Sequence, residues 1–552
     1  MGALLAYLRQ MVAFLPIATS VALVLASPGV ADAADVVGVT YATDKGAIGC
    51  TSNDQGVQCL GVPYATPPLG ALRFRPPAEE SPWAGVRDAT AFAPACIQAK
   101  TDYVKEQFGS EDCLYLNIFL PKAALAAPLP VMVWFHGGGF MNGSGNAFDG
   151  RYVAQTTGAI VITVNYRLGP FGWLALDSLA AEARDGSTGN YGLLDNIAAL
   201  KWVQHNATTF GGDPGRVTIF GQSAGGEQVF ALLASSYAKG LFQRAISMSA
   251  PAGLSLPNVA KAQARRKRFL TELGCTDPQT QPACLRAVPG QRLLDAAHED
   301  WDLFQSKGLQ WTPTIDGAVL KDQWVSQFKH GDFNRVPVMV GHTRDEARLF
   351  AAIYENNHGG PMTEAQVKDV TQRSYGLISG VMRYKYSGAA TPGGQMSQIV
   401  VDALFATGEN QDRDALAEYV PVYGYQSCDE KAPESHVHAL YSSIGCGHDS
   451  DLAYLFQWDD FTGRQPEFTT EQHALALQIG HYWGNFAATG NPNGSGLPNW
   501  PVDTAEAGSV ELLEPTGMGG VRAISEDMYR GQHHAQFWTP LLWLANTLGL
   551  QK

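Results

Sequence analysis

The chain has 552 residues, 45% of them hydrophobic and 16% charged, which supplies ample apolar material for a large core and lies far from the composition of a disordered protein. Its formal net charge of -14 disfavours nucleic acid and anionic membrane surfaces as partners and suits a protein handling small neutral molecules.

At the N-terminus, Arg9 precedes an apolar run from Met11 to Ala26, then Ser27-Pro28-Gly29 and the small-residue site Ala31-Asp32-Ala33. This order predicts a signal peptide over residues 1–33, with 34–552 as the mature chain. The apolar run falls short of the roughly 20 residues that a spanning helix needs, so no stable membrane anchor is expected after cleavage. The destination is secreted or periplasmic, and the cysteine content agrees. Eight cysteines fit an oxidising compartment, and their spacing suggests four local pairs: Cys50 with Cys59, Cys96 with Cys113, Cys275 with Cys284, and Cys428 with Cys446. A zinc site drawn from Cys428, His436, His438, Cys446 and His448 is the competing use of the last pair. An even cysteine count in an exported chain favours disulfides.

From Val36 to about Trp83, short β-type runs alternate with Gly and Pro turns and predict a small antiparallel entry to a larger sheet. Leu114–Leu120, Val131–Phe135 and Ile160–Val164 are near-continuous apolar runs, as expected of strands covered on both faces in an α/β protein. After the second of these comes His136-Gly137-Gly138-Gly139-Phe140. Consecutive glycines at a strand end free the backbone to turn N–H groups towards a developing negative charge.

The centre of the chain is Gly221-Gln222-Ser223-Ala224-Gly225, between the strand run Val217–Phe220 and the helix formers Glu227–Ala234. Strand, tight turn and helix meet at Ser223, which is the arrangement of a nucleophile elbow. Further strands are expected at Ala245–Ser249, at Val336–Val340 and around Tyr423-Gly424-Tyr425. The second leads into Asp345 and Glu346, both candidates for an acid at the ligand-binding edge of the sheet.

A serine nucleophile needs a base, and histidine titrates nearest neutrality. Among 13 histidines, His205, His330 and His358 sit in polar surroundings, and His473 and His481 fall in a helical stretch from Glu471 to Phe486 where packing is expected. His448 follows the serine and the acids in the order nucleophile, acid, histidine, on a Gly-flanked loop that a Cys428 to Cys446 bond would hold.

These residues resemble the type B carboxylesterase family, which includes the cholinesterases. Phe210–Gly225 matches the family's serine signature, and Glu111–Pro121 matches its second signature. The similarity continues through Gly61–Ala65, Leu72-Arg73-Phe74, Asn165-Tyr166-Arg167 and Asn485–Pro492, which implies one catalytic domain over 34–552. The implied fold is the α/β-hydrolase fold, a large, mostly parallel mixed sheet with helices on both faces and long insertions. By the same resemblance Ser223 is the nucleophile, Glu346 rather than Asp345 the acid and His448 the base, with Gly138, Gly139 and Ala224 supplying the oxyanion hole. The resemblance also supports the pairs Cys96–Cys113 and Cys275–Cys284.

The implied activity is hydrolysis of small-molecule esters through an acyl-enzyme, without cofactor or metal. Lipase, polyester hydrolase and aryl amidase are alternatives on the same fold, and a non-catalytic binding protein is the rival from another class. Two departures bear on substrate. Gln222 stands where the family commonly has glutamate, and the segment between Cys96 and Cys113 lacks the tryptophan that holds quaternary ammonium in cholinesterases. Both point to neutral esters.

Overall fold

A computed structural model describes residues 37–98, 108–122, 128–297, 309–434, 437–457, 467–504 and 508–547. The expected signal peptide lies outside them. Strands β1 (Val37–Ala42), β2 (Ala47–Asn53), β3 (Gly56–Pro63), β4 (Val86–Asp88), β5 (Tyr115–Leu120), β6 (Leu129–Phe135) and β7 (Ile160–Val164) form the first half of one sheet. Strands β8 (Gly212–Gln222), β9 (Arg244–Met248), β10 (Val338–Thr343), β11 (Val422–Ser427), β12 (Ser509–Leu513) and β13 (Arg522–Ser525) complete it. The 13-stranded sheet runs in the order β1-β2-β3-β5-β7-β6-β8-β9-β10-β11-β12-β13, with β4 beside β2. Pairings from β7 through β12 are parallel, whereas β1 to β3, β3 with β5, β5 with β7, and β12 with β13 are antiparallel. The antiparallel entry and the α/β class follow the sequence reading. β10 runs on to Thr343, past the expected end at Val340, and so carries the chain directly to the candidate acids.

The apolar runs are continuous because the central strands have no solvent face. Along β6, Val131, Val133 and Phe135 enter one core, while Met132 and Trp134 enter the other. The first core is closed by Leu193, Ile197 and Leu200 of the helix Tyr191–Asn206 and by Val229, Phe230 and Leu233 of the helix Ala224–Ala234. The second is closed by Leu475, Ile479, Trp483 and Phe486 of the helix Thr470–Thr489. His473 and His481 lie on that helix's exposed side, which corrects the expectation that they pack. Trp134 anchors the second core, its ring centroid 5.0, 4.9 and 4.7 Å from those of Phe148, Phe220 and Phe456. Truncating a fully buried tryptophan of this kind costs about 3–5 kcal/mol.

All four expected cysteine pairs are bonded, with Cα atoms 4.6 Å apart for Cys50–Cys59, 4.8 Å for Cys96–Cys113, 5.6 Å for Cys275–Cys284 and 4.8 Å for Cys428–Cys446. Cys50–Cys59 ties β2 to β3, and Cys428–Cys446 ties the end of β11 to the loop carrying His448.

Candidate active site

β8 ends at Gln222 and the next helix begins at Ala224, leaving Ser223 alone in the turn at φ 58°, ψ −126°. Such a conformation costs a side-chain-bearing residue on the order of 1–3 kcal/mol and persists only where its surroundings enforce it. Here Ser223 N donates to Met248 O of β9 at 2.9 Å, and Ser223 O accepts from Glu227 N at 3.0 Å. The flanking glycines are steric requirements. A Cβ on Gly221 would lie 2.8 Å from Phe135 O, and one on Gly225 would overlap the same carbonyl. Without them the helix could not start against β6.

The glycine loop after β6 turns through Gly138 (φ 101°), Gly139 (φ 59°) and Phe140 (φ 64°). Gly138 O accepts from Met141 N at 3.0 Å and Asn142 N at 3.1 Å, which fixes its peptide. Among the described residues, no protein acceptor takes the N–H groups of Gly138, Gly139 or Ala224. Buried Gln98 braces the loop, donating to Cys96 O and Gly143 O at 2.9 Å each and accepting from Gly143 N at 2.8 Å. His136 is structural: its ring stacks on Tyr166 at 4.3 Å, and burial pulls it down to about 4, so it stays neutral.

Opposite the serine, Glu346 stands at the start of the helix Ala347–His358. Its Oε1 accepts from Thr343 N at 2.8 Å and its Oε2 contacts His448 Nδ1, while His448 N donates to Glu346 O at 3.0 Å. Glu346 is 0% and His448 4% exposed. The neighbouring Asp345 turns elsewhere, pairing with Arg344 at 2.8 Å and Arg348 at 2.9 Å. The rings of Phe350 and Phe405 flank His448 at 5.1 and 5.6 Å.

Burial disfavours a charged imidazole at His448, but the carboxylates of Glu346, Asp449 and Asp451 outweigh it and push the group up to about 9. Burial likewise works to raise Glu346, yet His448 beside it keeps the carboxyl below the usual range. The pair is thus poised to hold a proton between two buried groups. Other carboxyls of the interior behave oppositely. Burial drives Glu227, Glu409 and Asp412 well above the usual range, and burial with Glu346 and Asp449 nearby raises Asp451 to about 7. Glu511 is also lifted by burial to about 7.

The remaining candidates separate. Cys428 and Cys446 are bonded to each other, and His438 is exposed on Glu434 at 2.6 Å, so the zinc constellation is not assembled among the described residues; His436 lies outside them. His205, His330 and His358 are exposed as expected. His533 is buried on Asp402 at 2.8 Å. Two contributions escaped the sequence reading: Asp451, three positions after His448 and sharing its field, and the contact of Gln222 Nε2 with His448 Nε2 at 3.1 Å. Adjacency of Gln222 to Ser223 was the available signal for the second.

Ser223, Gln222, His448 and the glycine loop line a cavity of about 530 Å³, whose walls include Phe148, Leu349, Phe350, Ile353 and Leu452. The arrangement juxtaposes a strained serine, an imidazole backed by a buried carboxylate and unengaged N–H groups within one apolar cleft.

The model of the carboxylesterase family matches residues 34–518. The chain is similar to a liver carboxylesterase of Sus scrofa, 34% identical over 528 residues and covering 88% of each chain. It is also similar to a para-nitrobenzyl esterase of Bacillus subtilis, 34% identical over 490 residues, covering 86% of this chain and 94% of that one. A solved PNB esterase structure superposes with a TM-score of 0.74 at 31% identity, covering 90% of this chain and 99% of the other.

Proposed function

The chain belongs to the carboxylesterase family and is a carboxylic-ester hydrolase, and on that premise we propose that it cleaves neutral small esters, aliphatic or aromatic, through an acyl-enzyme on Ser223. His448 takes the hydroxyl proton through Nε2 as Ser223 Oγ attacks the ester carbonyl. Glu346 fixes the proton on Nδ1 and stabilises the imidazolium that forms. The N–H groups of Gly138, Gly139 and Ala224 receive the oxyanion, an interaction worth about 3–4 kcal/mol per donor in comparable sites. The imidazolium then gives its proton to the leaving alcohol, and water, activated by the same base, releases the acid.

The observation that carries this reading is the contact of His448 Nδ1 with the fully buried Glu346 in the cleft that Ser223 also lines. Neutral substrates are favoured by the apolar cavity walls and by an uncharged Gln222 beside the nucleophile. We also read the chain as exported, on its N-terminal sequence and four disulfides. No helix among the described residues is long and apolar enough to cross a membrane.

A serine-directed fluorophosphonate supplies the test. It is expected to label the folded protein once per chain at Ser223 and to abolish turnover of matched neutral esters. Labelling that persists in Ser223→Ala, or full ester turnover after stoichiometric labelling, overturns the assignment.

A further inference from the structure

Gln222 is 1% exposed, and its carboxamide Nε2 lies 3.1 Å from His448 Nε2. A carboxamide nitrogen only donates, so the imidazole atom that meets it presents a lone pair. The ring proton then sits on Nδ1, where the Glu346 carboxylate receives it. Opposite ends of one ring are therefore met by an acceptor and a donor at hydrogen-bond distance, which together favour the Nδ1-protonated tautomer against the more distant Asp449 carboxylate. The side chain of Gln222 reaches this position by crossing Gly137: a Cβ there would stand 2.9 Å from Gln222 Oε1. Among the described residues, Ser223 Oγ makes no hydrogen bond to the imidazole; its Nε2 is met by Gln222 Nε2 at 3.1 Å, with Asp449 Oδ1 farther off at 3.6 Å.

We propose that Gln222 is a positioning residue for the base: once His448 has given up its second proton, the carboxamide holds the neutral ring with its remaining proton on Nδ1, and it yields Nε2 to Ser223 when an ester fills the cleft. The inference rests on the reading of His448 as general base. One sp² lone pair does not serve two donors in good geometry, so the serine replaces the carboxamide rather than joining it.

The exchange has an electrostatic side. Glu346, at the start of the helix behind the ring, and Asp449 and Asp451, from the loop of His448 itself, all favour the imidazolium. Phe350 and Phe405, packed on the ring from the other elements, bring no charge. A donor to Nε2 stabilises only the neutral ring and so opposes those acids, keeping the base available at lower pH. A glutamate at the same position would add a further acid instead of opposing them.

The test compares pH profiles of kcat/KM for wild type, Gln222→Met and Gln222→Glu, each normalised to active sites counted by fluorophosphonate titration. The apparent pKa of the ascending limb is expected to rise by about half a unit in Gln222→Met, which loses the donor, and by more in Gln222→Glu. Nitrogen-15 spectra of histidine-labelled, ligand-free enzyme, taken above the value of about 9 at which His448 loses its second proton, are expected to show one Nδ1-protonated tautomer for wild type and mixed forms for Gln222→Met. Profiles superimposable on wild type in both variants, in enzyme that titrates normally, overturn the proposal. Should the apolar variant fail to fold, the isosteric Gln222→Glu decides alone. Failure of the underlying reading is distinguishable, because sites would then not titrate at Ser223 at all.

Discussion

The two halves of the candidate cleft are built by different means. Ser223 and the glycine loop belong to contiguous segments whose conformation is dictated by backbone sterics: a strained turn, glycines where no Cβ fits and a helix starting against a neighbouring strand. Glu346 and His448 come from positions 102 residues apart and are joined by buried charge, with the Cys428–Cys446 bond bracing the loop. The first half is set by shape and tolerates little change of backbone. The second is set by electrostatics and answers to pH and to the stiffness of a loop.

That contrast orders the experiments. Ser223→Ala removes the proposed nucleophile from a turn the backbone already enforces, so turnover is expected to fall on the order of 10⁴-fold or more with an unchanged melting temperature. Activity within tenfold of wild type in a clean preparation would show that the shape-built half is not the reacting half. Glu346→Gln keeps size but loses the charge that holds the Nδ1 proton, and a fall in kcat of roughly 10³–10⁴ is expected. Single-turnover kinetics with an unchanged acylation rate would count against it.

Replacing Cys428 and Cys446 together with serine tests the loop. A base displaced by about 1 Å can lose on the order of a hundredfold in rate, so turnover at low temperature is expected to drop more than the lowered melting temperature explains. If activity per folded molecule is retained, the bond is a staple without effect on His448. The smallest effect is one of charge: Gln222→Glu is expected to raise the ratio of cationic to neutral ester turnover severalfold, since a carboxylate attracts a cation more strongly in a low-dielectric cleft. A ratio that stays put for matched esters would remove Gln222 from the substrate's surroundings.

The electrostatic half also answers to pH. With His448 lifted to about 9, kcat/KM is expected to climb through the neutral range and level near that value as the base deprotonates. The same shift makes the native state bind a proton the unfolded chain releases, so this stabilisation is complete below about 6.5 and is lost as pH rises through about 9. Glu346 contributes in the reverse sense: its depressed carboxyl stabilises above the unfolded value and ceases to do so as pH falls through the folded one. Thermal melts across both windows check the two signs.

Legibility in the sequence followed the same division. The central strands were readable because burial on both faces writes an unbroken apolar run, and the elbow because its glycines and serine are adjacent. Residues alone left Asp345 and Glu346 equivalent, since they differ by one position and only the start of a helix decides which faces the imidazole. Asp451 was invisible because its influence comes from depth of burial near Glu346, not from a motif. His473 and His481 misled for a simpler reason: the helix carrying them is amphipathic, and they fall on its wet side.

The buried carboxyls have a consequence for how the protein moves in an electric field. The formal charge of -14 counts Glu227, Glu409 and Asp412 as ionised, yet burial drives each well above the usual carboxyl range, and Asp451 and Glu511 are lifted to about 7. Folding therefore makes these carboxyls harder to ionise than they are in the unfolded chain. At pH 7 the native protein should therefore carry a less negative net charge than its composition implies, and proton release on unfolding at that pH measures the difference. An enzyme that hides acidity in this way takes up protons as it folds, and its surface presents to substrates a milder field than its composition implies.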